Sequence, residues 1–163
     1  MDKKAYKSAV MVIDNKAIFH NKDHFSHYTS FNENEVSDLR VISDIRENAI
    51  RFAKLAGVKS NDLADITIAL GEALANAIKH GSPVMGVSRV GVGCHIVDGN
   101  FVAIVSDEGS PFDERLIPDP IFDSCPECGL GVYLMRQVMD AVEFSHSVCG
   151  NQVKLVKKLA TSI

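Results

Sequence analysis

The chain has 163 residues, 46% of them hydrophobic and 23% charged, a balance that suits one compact globular domain and leaves little room for a second. Its formal net charge is -4 with lysines and arginines scattered along the chain, so it lacks the electrostatic footprint of a nucleic-acid binder. The opening MDKKAYKSAVMVIDNK has no apolar stretch of useful length, and no later run approaches the roughly 20 apolar residues of a membrane span, so a soluble, cytoplasmic protein with no membrane partner is expected. In that setting Cys94, Cys125, Cys128 and Cys149 are expected as reduced thiols or metal ligands rather than a disulfide framework.

Residues 8–31 read as extended: AVMVI, a polar turn at Asp14 and Asn15, AIFH, then FSHYTSF with alternating character. No function attaches to residues 8–20. From Asn34 the period becomes helical, with Leu39, Ile42, Ile45, Ala49, Phe52 and Ala53 at helical spacing, Ser37 as N-cap and Gly57 as the stop. The chain thus divides into an N-terminal extended segment with a first strand, residues 1–33, and one domain, residues 34–163. A second helix is predicted from near Ser60 to about His80, with Asp62 and Asp65 in its first turn, where the helix dipole favours carboxylates.

Beyond it, VSRVGVGCHIV and NFVAIVSD flank Asp98-Gly99, a strong hairpin signal. Residues 110–128 hold four of the five prolines and no clear period, a long loop of the kind that often serves as a lid. A third helix is predicted from about Leu130 to Asp140, with Leu134, Met135, Val138 and Met139 inward; EFSHSV and QVKLVKKL then form a second hairpin around Cys149-Gly150-Asn151.

At about 100° per residue, Glu72, Asn76 and His80 share one side of the second helix, roughly opposite Leu63, Ile66, Leu70, Leu74 and Ala77. The stripe is flanked by Ile68, Ala69, Ala73 and Ala75 rather than by charges, which points to a helix covered on most sides whose polar stripe opens into a cleft. A carboxylate there suits general-base work and an amide oxygen one turn along is a hard ligand for Mg²⁺, although an ordinary surface glutamate fits this helix equally well. SDEGSPFD places Asp107 and Gly109 where the backbone leaves a strand: the carboxylate can accept a hydrogen bond from a ligand and glycine permits close approach, but D-x-G also describes a plain turn. CGLGVYLM sets Gly129 and Gly131 at the start of the third helix, where free N–H groups attract phosphate.

The order E-x-x-x-N-x-x-x-H on a helix, a strand ending in D-x-G, a lid, then G-L-G opening a helix resembles the N, G1 and G2 boxes of the GHKL ATPase superfamily, which includes gyrase, sensor histidine kinases and MutL. The likeness runs from about Asp38 to Leu159. Within that group EALANAIKHG, DEGSPFD and GLGVYLMRQVMDAVEF look most like the anti-sigma-factor serine kinases of bacterial partner switching. The resemblance implies an α/β (α+β) two-layer sandwich of the Bergerat type, a mixed sheet with helices on one face, with ATP and Mg²⁺ held between the second helix, the lid and the sheet.

By the same resemblance Glu72 is the general base, Asn76 holds Mg²⁺ against the phosphates, Asp107 binds the adenine amino group, Gly109 admits the ring, and Gly129 with Gly131 lines the phosphates. His80 is read as a structural residue at the end of the stripe. The implied partners are a sigma factor and a small antagonist protein bearing an acceptor serine, and relatives of this type are often dimers. Neither a P-loop nor the Gly-rich loop with H-R-D of eukaryotic-type kinases is present.

Two departures stand out. No lysine or arginine lies between Arg115 and Arg136, so Arg115 is the basic candidate in the lid, whereas some relatives carry an arginine just before G-x-G. GNQVKL stands where the family often has G-T, so Asn151 replaces a hydroxyl that commonly touches phosphate. A nucleotide-gated protein-binding regulator without phosphotransfer, and the detached catalytic domain of a histidine kinase, are therefore carried as alternatives. Cys125-Pro-Glu-Cys128 has a spacing compatible with zinc or a reversible disulfide as well as with unpaired thiols, and His20, His24 and His27 form a weaker candidate cluster.

Overall fold

The computed structural model describes residues 9–13, 16–20, 29–84, 86–111 and 130–159. In chain order these form β1 (Ala9–Ile13), β2 (Lys16–His20), β3 (Thr29–Val36), α1 (Val41–Leu55), α2 (Ser60–Lys79), β4 (Arg89–Val97), β5 (Asn100–Asp107), α3 (Leu130–Val138), β6 (Ala141–Ser147) and β7 (Gly150–Lys158). The strands make one sheet in the order β1-β2-β3-β4-β5-β7-β6.

Alternation decides which face of the sheet is covered. Val90, Val92 and Cys94 of β4, Phe101, Ala103 and Val105 of β5, and Val153 and Leu155 of β7 are buried on one face. They share a single core with Ile45, Ala49, Phe52 and Ala53 of α1, the apolar side of α2 from Ile66 to Ile78, and Val132 and Met135 of α3. The result is a two-layer sandwich with its helices on one face, as the resemblance implies. Asp98 (φ 49) and Gly99 (φ 73) both take positive φ, the geometry of the tight turn expected between β4 and β5.

One expectation about the sheet is corrected: it is not mixed. Among the described residues all six strand pairings are antiparallel. The two helices α1 and α2 carry the chain away and back, so β4 starts beside the end of β3, with Val36 opposite Arg89. β6 does run parallel to β5, but β7 turns back and inserts between them, pairing with both.

The start of the first helix is also corrected. Residues 29–36 extend the sheet, and α1 begins at Val41 with no side-chain cap on its N-cap residue, Arg40. Ser37 is buried in a clasp between two loops: its N–H donates to the Ser88 carbonyl (2.7 Å) and its own carbonyl accepts from the Gly86 N–H (2.9 Å). Leu39 is exposed. Asp38 organises the entry to the helix by accepting from the Arg40 backbone N–H (2.9 Å), and the Arg40 guanidinium beside it holds its carboxyl down to about 2.

The remaining boundaries fall close to their predicted places. α2 ends at Lys79 with His80 as C-cap, and α3 ends at Val138, two residues short of Asp140. The β6–β7 turn lies at Val148 and Cys149, with Gly150 already in β7. Among the described residues no helix is long and apolar enough to cross a membrane.

Candidate functional site

The polar stripe of α2 faces a cavity of about 450 Å³ between that helix, the ends of β5 and β7, and the start of α3. Glu72, Asn76 and His80 line it from α2, Asp107 from β5, Asn151 from β7 and Gly131 from α3. Its volume falls within the roughly 300–1,000 Å³ typical of small-molecule sites. Val105, Val132, Met135 and Val153 add an apolar floor.

At one end, α3 opens directly on the stripe. A Cβ on Gly131 would stand 2.6 Å from Glu72 Oε2 and 3.5 Å from Asn76 Nδ2, so the backbone of the first turn reaches the carboxylate only because residue 131 has no side chain. The far end of α3 is tied down by Lys157, whose ammonium donates to Asp65 of α2 (2.6 Å) and to the Val138 carbonyl (2.7 Å). Helix termini of this sort present unpaired N–H groups and a positive dipole end toward whatever occupies the cavity.

At the other end, glycines make the space for Asp107. Its carboxyl occupies the position a Cβ on Gly81 would take, and its carbonyl lies where a Cβ on Gly150 (φ 120) would be. Gly109 is buried against Gly81, and its N–H donates to Asp107 Oδ1 at 2.8 Å. The same oxygen accepts from Asn151 Nδ2 at 2.8 Å. Asp107 Oδ2 accepts no hydrogen bond from the described residues, which leaves an acceptor for a ligand donor.

The structure therefore brings Glu72, Asn76, Asp107 and Gly131 to one cavity, with Gly109 behind Asp107. Arg115, Gly129, Cys125 and Cys128 lie outside the described residues, as do the side chains of His20, His24 and His27. Asn151 sits against Asp107, to which its side-chain amide donates. His80 is exposed along the cavity. Cys94 is fully buried on β4, where burial pushes its thiol above the usual range, and Cys149 is exposed in the β6–β7 turn. Among the described residues no group of three or more histidine, cysteine, aspartate or glutamate side chains is placed to hold a metal ion by itself.

Gly81, Gly150 and Asn151 belong to the site although their local sequence reads as a helix stop and a hairpin turn. The available signals were the glycine directly after the E-x-x-x-N-x-x-x-H stripe and the Gly-Asn pair where relatives have G-T.

Comparison with known proteins decides the family, because the histidine kinase-like ATPase domain matches residues 36–157. The chain belongs to that family. The histidine kinase-like ATPase domain begins here at the last residue of β3 and takes in every element from α1 through to β7, so the cavity lies wholly within it. Over 106 residues the chain is 31% identical to a protein named serine-protein kinase RsbW from Bacillus licheniformis, covering 60% of this chain and 66% of that one. It is 31% identical over 124 residues to the RsbW of Bacillus subtilis strain 168, covering 71% and 76% respectively. Among solved structures, the RsbU and RsbW domains of a Mycobacterium tuberculosis protein share its fold, with a TM-score of 0.60 at 19% identity over 80% of this chain and 33% of that one.

Proposed function

We propose that this histidine kinase-like ATPase domain binds ATP with Mg²⁺ and acts as a protein-serine kinase of the anti-sigma type. It phosphorylates a serine on a small antagonist protein and regulates a sigma factor by partner switching in the cytoplasm. The observation that supports it is the arrangement of one cavity: an open carboxylate acceptor, Asp107, at one end, and Glu72, Asn76 and the first turn of α3 at the other. The likeness to proteins named serine-protein kinase RsbW supports the choice of branch.

The donor set fits such a ligand. Asp107 Oδ2 would accept from the adenine amino group, and Val105, Val132, Met135 and Val153 would cover the ring. Asn76 would hold Mg²⁺ by its amide oxygen, and Gly129 and Gly131 would present backbone N–H groups to the phosphates. Mg²⁺, when bound, neutralises phosphate charge, which phosphoryl transfer needs more than covalent help. Glu72 would take the proton from the acceptor hydroxyl, its carboxylate kept in place by α2 and by the absence of a side chain at residue 131. Arg115 is the candidate cation from the lid.

Incubation with γ-labelled ATP and a cognate antagonist tests the reading. Label should appear on a serine of the antagonist and vanish in Glu72→Gln while nucleotide binding persists. Nucleotide binding without label, with a verified antagonist, would instead leave a nucleotide-gated binding regulator, and label on a histidine of a separate partner would indicate a histidine-kinase domain.

A further inference from the structure

Lys157 stands where the sheet calls for an apolar side chain. On β7 it follows Val153 and Leu155 in the alternation that faces the helices, and it pairs with Phe101 of β5, which is fully buried. Its ammonium reaches two acceptors on different helices, Asp65 Oδ2 of α2 at 2.6 Å and the carbonyl of Val138, the last residue of α3, at 2.7 Å. Only 16% of the Lys157 side chain is exposed, against 35% for Asp65. An ion pair partly withdrawn from water is weak evidence for stability, since apolar side chains often replace one without loss. What it supplies is direction, because each bond holds one atom to one place.

Seven residues separate Asp65 from Glu72 on α2, and seven separate Gly131 from Val138 on α3. At 3.6 residues per turn, that interval returns to nearly the same face of a helix, about 10 Å along its axis. The two helices run antiparallel over this matched span, with Gly131 against Glu72 at one end and Lys157 bridging Val138 to Asp65 at the other. We infer that Lys157 is a positioning residue for phosphoryl transfer: by holding the C-terminal end of α3 to α2, it fixes the register in which Gly131 meets Glu72. This rests on the reading of the chain as a serine kinase with ATP in the cavity. The apolar contacts of Val132 and Met135 with the core hold α3 down but carry no direction along its axis. The Asp140 N–H donates to the Val156 carbonyl (2.9 Å) and Asp140 Oδ2 accepts from the Lys158 N–H (2.7 Å), bonds that tie the end of α3 to the sheet. Lys157 adds the tie to α2, the helix that carries Glu72 and Asn76.

The test is steady-state phosphotransfer by the whole chain to a cognate antagonist, beside thermal melts. Lys157→Met keeps most of the stem and removes both donor bonds, so kcat should fall by about tenfold or more with KM for the antagonist little changed. Lys157→Arg, whose guanidinium can donate to both acceptors, should recover most of that loss. Combining Lys157→Met with Asp65→Leu fills the junction with apolar groups, and this variant should melt at least as high as Lys157→Met alone while its kcat stays low. Return of kcat in the double variant, or an unchanged kcat in Lys157→Met, would overturn the inference and leave the kinase reading intact. Absence of transfer by the unaltered, folded chain to a verified antagonist would overturn the kinase reading and this inference together.

Discussion

A side chain on Gly131 would put its first carbon 2.6 Å from Oε2 of Glu72, so the opening turn of α3 rests on the carboxylate of α2. Gly131→Ala therefore separates stability from activity. Alanine favours a helix over glycine by up to about 1 kcal/mol, and the glutamate tip can swing aside, so the melting temperature should stay level or rise. The displaced carboxylate should lower phosphotransfer to the antagonist by roughly 100-fold, since misplacement by about an ångström is enough for that. Thermal melts beside a labelled-ATP assay would show the two readouts diverging.

Gly81→Ala should behave differently, because its Cβ would overlap the Asp107 carboxyl where the Gly109 backbone already packs against Gly81 from the other side. The Asp107 side chain can give only by turning away, which breaks its bonds from the Gly109 N–H and from Asn151. Overpacking of this kind costs about 1–3 kcal/mol, and urea unfolding should show it together with loss of nucleotide binding.

The thiols should divide by burial. Cys94 is fully buried and its thiol is held neutral, whereas Cys149 is exposed beside Val148 in the β6–β7 turn. Brief iodoacetamide treatment followed by peptide mapping should find Cys149 modified and Cys94 intact until denaturant is added. Modification of Cys94 in the native protein would contradict its placement beneath α1 and α2.

Acid should expose the Asp38–Arg40 contact. Asp38 is lowered from 3.8 in the unfolded chain to about 2, so its contribution is present above 3.8 and is lost as pH falls from there through about 2. The difference in urea midpoint between the unaltered chain and Asp38→Asn should hold near pH 6 and shrink across that window. A difference that grew on acidification would have the wrong sign for this contact.

Much of this was legible because the informative residues lie close together in sequence. Glu72, Asn76 and His80 declare a face of one helix by spacing alone, and Asp98-Gly99 declares its turn by chemistry. The start of the first helix was not legible. TSFNENEV is polar and carries no apolar alternation, and it is a strand because it pairs with β4 from Arg89 to Ile96, a long-range partner that overrides local preference. The same reason hid Gly81 and the contact of Asn151 with Asp107. Each matters through Asp107, which lies 26 and 44 positions away respectively, and only the register of β5 with β7 and the docking of α2 bring them together. The expectation of a mixed sheet failed because the final hairpin inserts β7 between two parallel strands, a choice of edge that no local pattern encodes.

The central claim is that a nucleotide sits with its base at Asp107 and its phosphates toward Glu72, Asn76 and Gly131. Isothermal titration of the folded chain with ATP, with and without Mg²⁺, and of Asp107→Asn beside it, tests that most directly. Saturable binding that strengthens with Mg²⁺ and is weakened at least tenfold in Asp107→Asn is the predicted result. Heat-silent titrations of the unaltered protein, or binding indifferent to residue 107, would contradict it.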